Sequence, residues 1–502
     1  MNAKKILVVV GSYALCAALL VVLWLQVFDN VDDYAADTLY SQVEDLPEIP
    51  LRMAFTGNPA IYEFIWEYGR ERYWEEDIIY FAVAFLNNHP LLNSNAILYF
   101  DIDSLLGRGS NLPLSRRSFI DVAVLNEFLL QINQLVPRLP YLEDFEINGA
   151  LMRISAILND SHTYVLPLNP SGWLPLHIAP HTAHRYYDGL FPTIYPHIHR
   201  VCPTLEQLLG TRIIAMNDMS FAEIFQRVLQ LRGIENDVHF PWHEFFDSTT
   251  LAYICVMEYG DPSVTITGID NEGNIVEAEV HFLDEFATED MLIQREVDYE
   301  TSFFRSRANE NYWYQFFYDE NMLYVRFLAC FDMPSNPSSR FWQGIIDLLE
   351  AEAGVDTFVL DLRNNIGGHF LMGFGNFATW ASNLQNQELL GRVYIIVNHI
   401  TNSNGTNKAN TLHNVVNDAI LIGQPTGGAK NFFASEIHHG ETPNFGVSFI
   451  ISRGKFELAP DLPPDVPNTL IPDILIFRTL EDFANSHDPI MEAIRTGIYR
   501  TE

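Results

Sequence analysis

Apolar residues recur at helical spacing through the first part of the chain body. In "IYEFIWEYGRERYWEEDIIYFAVAFLNNHPLL" they fall at Ile61, Phe64, Ile65 and Tyr68, then at Ile78, Phe81, Val83 and Phe85. That spacing marks one face of an α-helix. His89-Pro90 ends the run, because the residue before a proline is pushed out of the helical region. "RRSFIDVAVLNEFLLQINQLV" predicts a second long helix, stopped by Pro137. "NGALMRISAILNDSHTYVLPL" predicts a third, with Leu151, Ile154 and Leu158 on one face and Asn159 as a C-terminal residue.

The pattern then changes. "WLPLHIAPH", "LAYICVMEY", "SVTITGI" and "IVEAEVHF" predict strands, with one helix among them, "SFAEIFQRVLQLR". From about residue 310 strands and helices alternate: "MLYVRFLAC", "RFWQGIIDLLEAEA", "DTFVLDLR", "FLMGFGNFATWAS", "GRVYIIVNH", "NKANTLHNVVND", "AILIGQ". Such alternation predicts an α/β domain with a largely parallel sheet. The expected organisation is a helical N-terminal domain over 56–164, a β-rich middle domain over 165–300 and an α/β domain over 301–502, with an acidic tether over 29–55. No internal repeat or low-complexity segment interrupts it.

The N-terminus adds a membrane element. Ile6–Phe28 is a run of 23 uncharged residues, preceded by Lys4 and Lys5 and followed by Asp29, Asp32, Asp33 and Asp37. A helix of that length spans roughly 30 Å, one bilayer core. The positive flank predicts a cytoplasmic start and an extracytoplasmic body. The run ends in "VLWLQVFDN" with no small-x-small cleavage site, so residues 1–28 read as a single-pass anchor ahead of the alternative, a cleaved signal.

Composition narrows the partners. The chain has 502 residues, 48% of them apolar, and 64 acidic against 29 basic side chains, a net charge of −35. Nucleic acid is excluded as a partner, since neutralising phosphates needs clustered Lys and Arg. Of four cysteines, Cys16 lies in the apolar run and Cys202, Cys255 and Cys330 are widely spaced. They form neither a disulfide framework nor a zinc pattern and read as buried thiols. The sequons at Asn159 and Asn404 fall on loops carrying candidate chemistry, where a glycan would obstruct it, which points to a bacterial source.

Candidate chemistry gathers at strand ends, where parallel sheets place active sites. "TFVLDLRNNIGGHF" leaves a strand through Gly367 and Gly368, which let backbone N–H groups point at a ligand. "IVNHITNSNGTNKAN" leaves another through Ser403, in a cluster of Asn, Ser, Thr and Gly that would also suit a plain turn. "ILNDSHTYVLP" places His162 just after a helix.

Taken together these segments resemble the S41 family of serine peptidases, the C-terminal processing proteases and the tricorn core, in a form without a clear PDZ domain. "LMRISAILNDSHTYVLP", "NYWYQFFYDENMLYVRFLAC", "DTFVLDLRNNIGGHF", "RVYIIVNHITNSNG", "AILIGQPTGGAKNFFASEI" and "IPDILIFRTLEDFANSHDPIMEAI" resemble its elements in the family's order, over roughly residues 150–495. The segment "LLGTRIIAMNDMSFAEIFQRVL" is also similar to part of a PDZ domain.

The resemblance implies a ClpP/crotonase-like catalytic domain. It puts Ser403 at the nucleophile position, His162 at the base, and the N–H groups of Asn404 and of Gly367 or Gly368 at the oxyanion. Glu436, in "ASEI", matches a family carboxylate that orients the base or lines the cleft. Lys430 lies one position beyond the lysine that another branch uses as base, so a Ser–Lys dyad stays open. Where the family has "SSAE" this chain has Ser403-Asn404-Gly405-Thr406, and Asn-Gly is turn-forming where the family begins a helix.

The expectation is a serine endopeptidase anchored in the cell membrane with its catalytic body outside. It would act on peptide or protein substrates and use no metal or organic cofactor. The alternative is an inactive binding protein on the same scaffold, as retinoid-binding relatives illustrate.

Overall fold

The computed structural model describes residues 69–92, 98–100, 120–168, 197–209, 211–236, 263–270 and 272–281, short strands at 176–179, 185–187, 192–194 and 293–294, and most of 303–497. The apolar run 6–28, the acidic tether, the strand expected in "LAYICVMEY" and Glu436 lie outside the described residues. Among the described residues no helix is long and apolar enough to cross a membrane.

Three helices open the described chain. Helix α1 (Arg70–Asn88) buries Trp74, Ile78, Phe81 and Phe85 and stops where His89 turns to an extended ψ of 130°. Helix α2 (Val122–Leu135) begins at Asp121, whose carboxylate accepts the N–H groups of Ala123 and Val124, satisfying donors that the first turn leaves without partners. Helix α3 (Asp144–Ala156) starts earlier than the apolar pattern alone predicts. A capping box between Glu143 and Glu146 sets its N-terminus. The short strand β1 (Tyr164–Val165) then carries the chain past His162.

These helices pack against a segment far along the chain. Phe81 and Phe85 pack on Phe128 and on Phe449, far along the chain. Trp74 stacks on Phe445 at 4.1 Å. Asp77, fully buried, accepts hydrogen bonds from Thr442 Oγ1 and from the backbone N–H groups of Asn444 and Phe445.

The middle of the chain forms a seven-stranded sheet whose described pairings are antiparallel. It includes β2 (His197–Val201), β3 (Arg212–Met216), β4 (Ser263–Ile269) and β5 (Ile275–His281). Strand β4 alternates buried and half-buried residues along its length, the signature of a sheet with one covered face. The helix expected here is α4 (Phe221–Gln230).

The α/β region centres on a six-stranded sheet. Its spatial order is β6 (Tyr312–Phe317), β7 (Met322–Phe327), β8 (Val355–Asp361), β9 (Leu390–Val397), β10 (Ile420–Gly423) and a short strand at Ile474–Leu475. Only β6 and β7 pair antiparallel; the remaining neighbours are parallel. Every residue of β7 is buried, as in a strand covered on both faces: five are apolar or aromatic, and the one charged residue, Arg326, is paired with Asp361.

Helices α5 (Ser338–Ala351), α6 (Phe374–Asn386) and α7 (Asn404–Val415) cover one face, over Leu323, Val325, Leu360 and Ile395. The helix Pro489–Thr496 covers the other, over Met322, Tyr324, Val359 and Ile396. Helix α5 alone buries Phe341, Trp342, Ile345 and Leu349, each contributing about 1.5–3 kcal/mol of transfer free energy. Strands β7, β8, β9 and β10 all point the same way. Their carboxyl ends, "LAC", "LRNNIGG", "NHITNS" and "QPTGG", therefore meet at one edge of the sheet.

Candidate active site

The end of β8 is held rigidly. Asp361 is fully buried between Arg326 and Arg363 and accepts a 2.6 Å hydrogen bond from Tyr324. Burial works against its charge, but the two guanidiniums win and hold the carboxyl below its usual range. Arg363 reaches on to Asp488 at 2.9 Å, tying the strand end to the C-terminal helix.

The next residues carry the glycine turn. Asn365 donates from Nδ2 to the Phe327 carbonyl at 2.8 Å, and its Oδ1 accepts the Gly367 N–H at 2.8 Å. Gly367 and Gly368 have φ of +101° and +124°, values that only glycine adopts without strain. The turn is pinned to the end of β7, since Cys330 N–H donates to Gly367 and His369 N–H donates to Cys330.

Ser403 sits beside this turn at the start of α7. Its backbone is strained, at φ 48° and ψ −123°, and it is 9% exposed. Its own N–H goes to Asn402 Oδ1 at 2.7 Å. The Asn402 N–H goes to the Asn365 carbonyl at 2.8 Å, and Thr401 Oγ1 donates to Leu362 at 2.9 Å. The two strand-end loops are thus laced together.

The turn expected at Asn404-Gly405 is instead the first turn of a helix, with Asn404 its first residue. The physical reason is room. A Cβ at position 405 would lie 2.7 Å from the Asn365 carbonyl oxygen, so glycine lets the helix start pressed against the loop. The Asn404 side-chain amide donates to the Gly368 carbonyl, tying the helix start to the glycine turn.

The three sequence candidates for the oxyanion region, Gly367, Gly368 and Asn404, come together here. The Gly367 N–H is committed to Asn365, whereas among the described residues no acceptor takes the N–H of Gly368 or of Asn404. The latter lies at the positive end of α7. Two free N–H groups next to a strained serine at a helix N-terminus can stabilise an oxyanion.

His162 approaches from the helical part. Its ring lies 5.6 Å from Phe432, centroid to centroid. Phe432 belongs to β11 (Asn431–Ala434), which follows "QPTGGAK". That loop rests on the serine loop: Gly428 N–H donates to Thr401 at 2.9 Å, and a Cβ at Gly428 would meet Thr406 and Asn402. Among the described residues Ser403 Oγ makes no hydrogen bond, so neither His162 nor Lys430 is closed onto it in this structure.

Two residues that sequence reasoning missed surround His162. Asp160, fully buried, bonds His89 Nε2 at 3.2 Å and accepts from Thr163 Oγ1 at 2.5 Å and from the His162 N–H at 2.8 Å. Burial opposes its charge, but His89 and His162 hold the carboxyl below its usual range. Glu235 lies 3.5 Å from His162 Nδ1, with its side chain 3% exposed. For the ring itself burial disfavours the charged form, yet Glu235 and then Asp160 outweigh it and Arg232 only partly opposes them. The His162 pKa is raised. Asp160 could have been noticed as the acid of "NDSHT"; Glu235, in "RGIEN", carries no local signal.

Asp160, His162 and Glu235 also offer three ligand atoms within 4.8 Å of one another. Asp160's oxygens are already taken by three donors, and the Arg232 guanidinium repels positive charge at the ring. The set suits proton transfer better than a cation. Lys430 is about half-buried and its pKa is lowered by that burial, more than the glycine-rich sequence around it predicted. Cys202 and Cys330 are free thiols.

The sequence matches no family model, and no curated protein matches it. Among solved structures it is similar to mature CPAF, with 10% identity, a TM-score of 0.49, and coverage of 84% of this chain and 97% of that one. It is also similar to the photosystem II D1 C-terminal processing protease, with 12% identity, a TM-score of 0.35, and coverage of 81% and 93%. A third is the tricorn protease, with 12% identity, a TM-score of 0.33, and coverage of 84% of this chain and 36% of that one.

Proposed function

We propose that this protein is a serine peptidase of the S41 type, with Ser403 as nucleophile, His162 as general base and the N–H groups of Asn404 and Gly368 as oxyanion donors. The observation that carries the reading is the backbone of Ser403. A non-glycine residue at φ 48° and ψ −123° costs on the order of 1–3 kcal/mol and persists where function uses it. Here the strained residue stands at a helix N-terminus beside two unused N–H groups.

In the reaction His162 Nε2 takes the Ser403 proton as Oγ attacks the peptide carbonyl. The carbonyl oxygen becomes an oxyanion held by the two N–H groups. The imidazolium then protonates the leaving amine, and water repeats the sequence on the acyl-enzyme. The substrate class is a peptide or protein. The apolar run Ile6–Phe28 and its flanking charges support a cell-membrane anchor with the catalytic body on the extracytoplasmic side.

One observation favours a second reading, a binding module on the same scaffold: no base is closed onto Ser403 Oγ among the described residues. A fluorophosphonate probe separates the two. Labelling at Ser403, lost in Ser403→Ala, supports the peptidase. Folded protein that stays unlabelled between pH 6 and 9 supports the binding module.

A further inference from the structure

The segment after α4 runs between the two halves of the candidate site. Gly233 packs so closely on Asp160 that a Cβ there would lie 2.5 Å from the Asp160 nitrogen. Arg232 donates to the Ser161 carbonyl at 2.9 Å and lies over the Tyr164 ring at 3.6 Å. Two residues on, Asn236 Nδ2 donates to the carbonyls of Gly427 and Asn468, both at 3.1 Å. Residue 235 is therefore placed from both sides, by the His162 turn and by the loop that rests on the Ser403 loop.

At that position stands a carboxylate with no evident structural employment. Both oxygens of Glu235 are buried and make no hydrogen bond among the described residues. A buried carboxylate without a partner is costly, and its nearest charge partner is His162 Nδ1 at 3.5 Å. Nδ1 also faces the Ser161 hydroxyl at 3.2 Å and, at 3.8 Å, Asp160 Oδ1, which already accepts the His162 backbone N–H. A hydroxyl can donate or accept and so does not settle which ring nitrogen carries the proton. Burial pushes the Glu235 pKa up and His162 draws it part of the way back down; in its ionised form the carboxylate only accepts, which favours the proton on Nδ1 and leaves the Nε2 lone pair for Ser403.

We propose that Glu235 is the positioning residue for His162, holding the imidazole in its Nδ1–H tautomer and turning Nε2 toward the nucleophile. The inference rests on the peptidase reading for its catalytic meaning, but the Glu235–His162 relationship itself can be measured without turnover. It assigns to a side chain after α4 one of the two roles that the family resemblance leaves open for Glu436. It also makes catalysis depend on how the middle region docks. The charged and titratable groups facing His162 are Asp160 from its own turn, with His89 behind it, and Glu235 and Arg232 from this segment. Phe432 covers the ring from β11.

The test is an imidazole nitrogen NMR titration of the full chain, with the His162 signal identified by its loss in His162→Gln. Wild type should show the Nδ1–H tautomer. In Glu235→Gln the His162 pKa should fall by about one unit, since an adjacent opposite charge is removed. In a peptide assay the same variant should lose roughly 10²-fold in kcat with KM little changed. An Nε2–H tautomer in wild type overturns the proposal, and that measurement stands even if Glu235→Gln does not fold. An unchanged His162 pKa in a folded Glu235→Gln overturns it too. If the titration behaves as expected but wild type neither cleaves peptides nor labels at Ser403, the peptidase reading has failed and the pairing has not.

Discussion

Gly367 and Ser403, thirty-six residues apart in sequence, touch so closely that a Cβ on Gly367 would lie 2.5 Å from Ser403 Cβ and 3.0 Å from Ser403 Oγ. The glycine is there because the Ser403 loop occupies the space of its side chain. Gly367→Ala should therefore push Ser403 out of place while leaving the sheet intact. We expect a loss of fluorophosphonate labelling of at least about 10²-fold, comparable to losing an oxyanion donor, together with a loss of stability of about 1–3 kcal/mol, because alanine is strained at this positive φ. Wild-type labelling in a folded Gly367→Ala would mean that the two loops are not in contact in solution.

The strained backbone of Ser403 gives a second expectation. Ser403→Ala keeps a Cβ at φ 48° and keeps the strain, whereas Ser403→Gly relieves it. Both variants should be inactive. Ser403→Gly should be the more stable by about 1 kcal/mol in denaturant titration, less whatever glycine loses through its freer unfolded state. Equal stability of the two would remove the strain argument.

The identity of the base is tested by pH. His162 must be neutral to accept a proton, and its pKa is raised, chiefly by Glu235 against the opposing effect of burial. Activity should thus rise with pH through an apparent pKa above the ordinary value of about 6.5. His162→Ala should remove nearly all activity in a folded protein, and Lys430→Ala should leave most of it. The reverse result would assign the site to a Ser–Lys dyad, in keeping with the lowered pKa of Lys430.

Asp77 tests the junction between the helical part and the C-terminal half. Its buried carboxylate accepts from Thr442, Asn444 and Phe445. Asp77→Ala leaves those donors without an acceptor, and the expected loss is about 3 kcal/mol. A change within 0.5 kcal/mol, a value typical of about any uninvolved surface site, would show that the junction contributes little.

Much of this molecule was legible in local pattern. Alternating strands and helices after residue 310 predicted β7 to β10 and their shared carboxyl edge, because a buried parallel strand needs a nearly continuous apolar run. The helix ends at His89 and Pro137 followed from proline sterics. "NNIGG" and Ser403 stood out because strand ends rich in Gly, Asn and Ser are where a backbone can face a ligand. What only the tertiary structure decided are the relations between those pieces. It committed the Gly367 N–H to Asn365 and, among the described residues, left those of Gly368 and Asn404 without acceptors. It turned Asn404-Gly405 from a turn into a helix start. It brought Glu235, seventy-three residues downstream, to the ring of His162. The physical reason is range. Periodicity and turn chemistry act over a few residues, whereas hydrogen-bond partners, close contacts and the field on a buried imidazole are set by whichever segments the fold packs side by side.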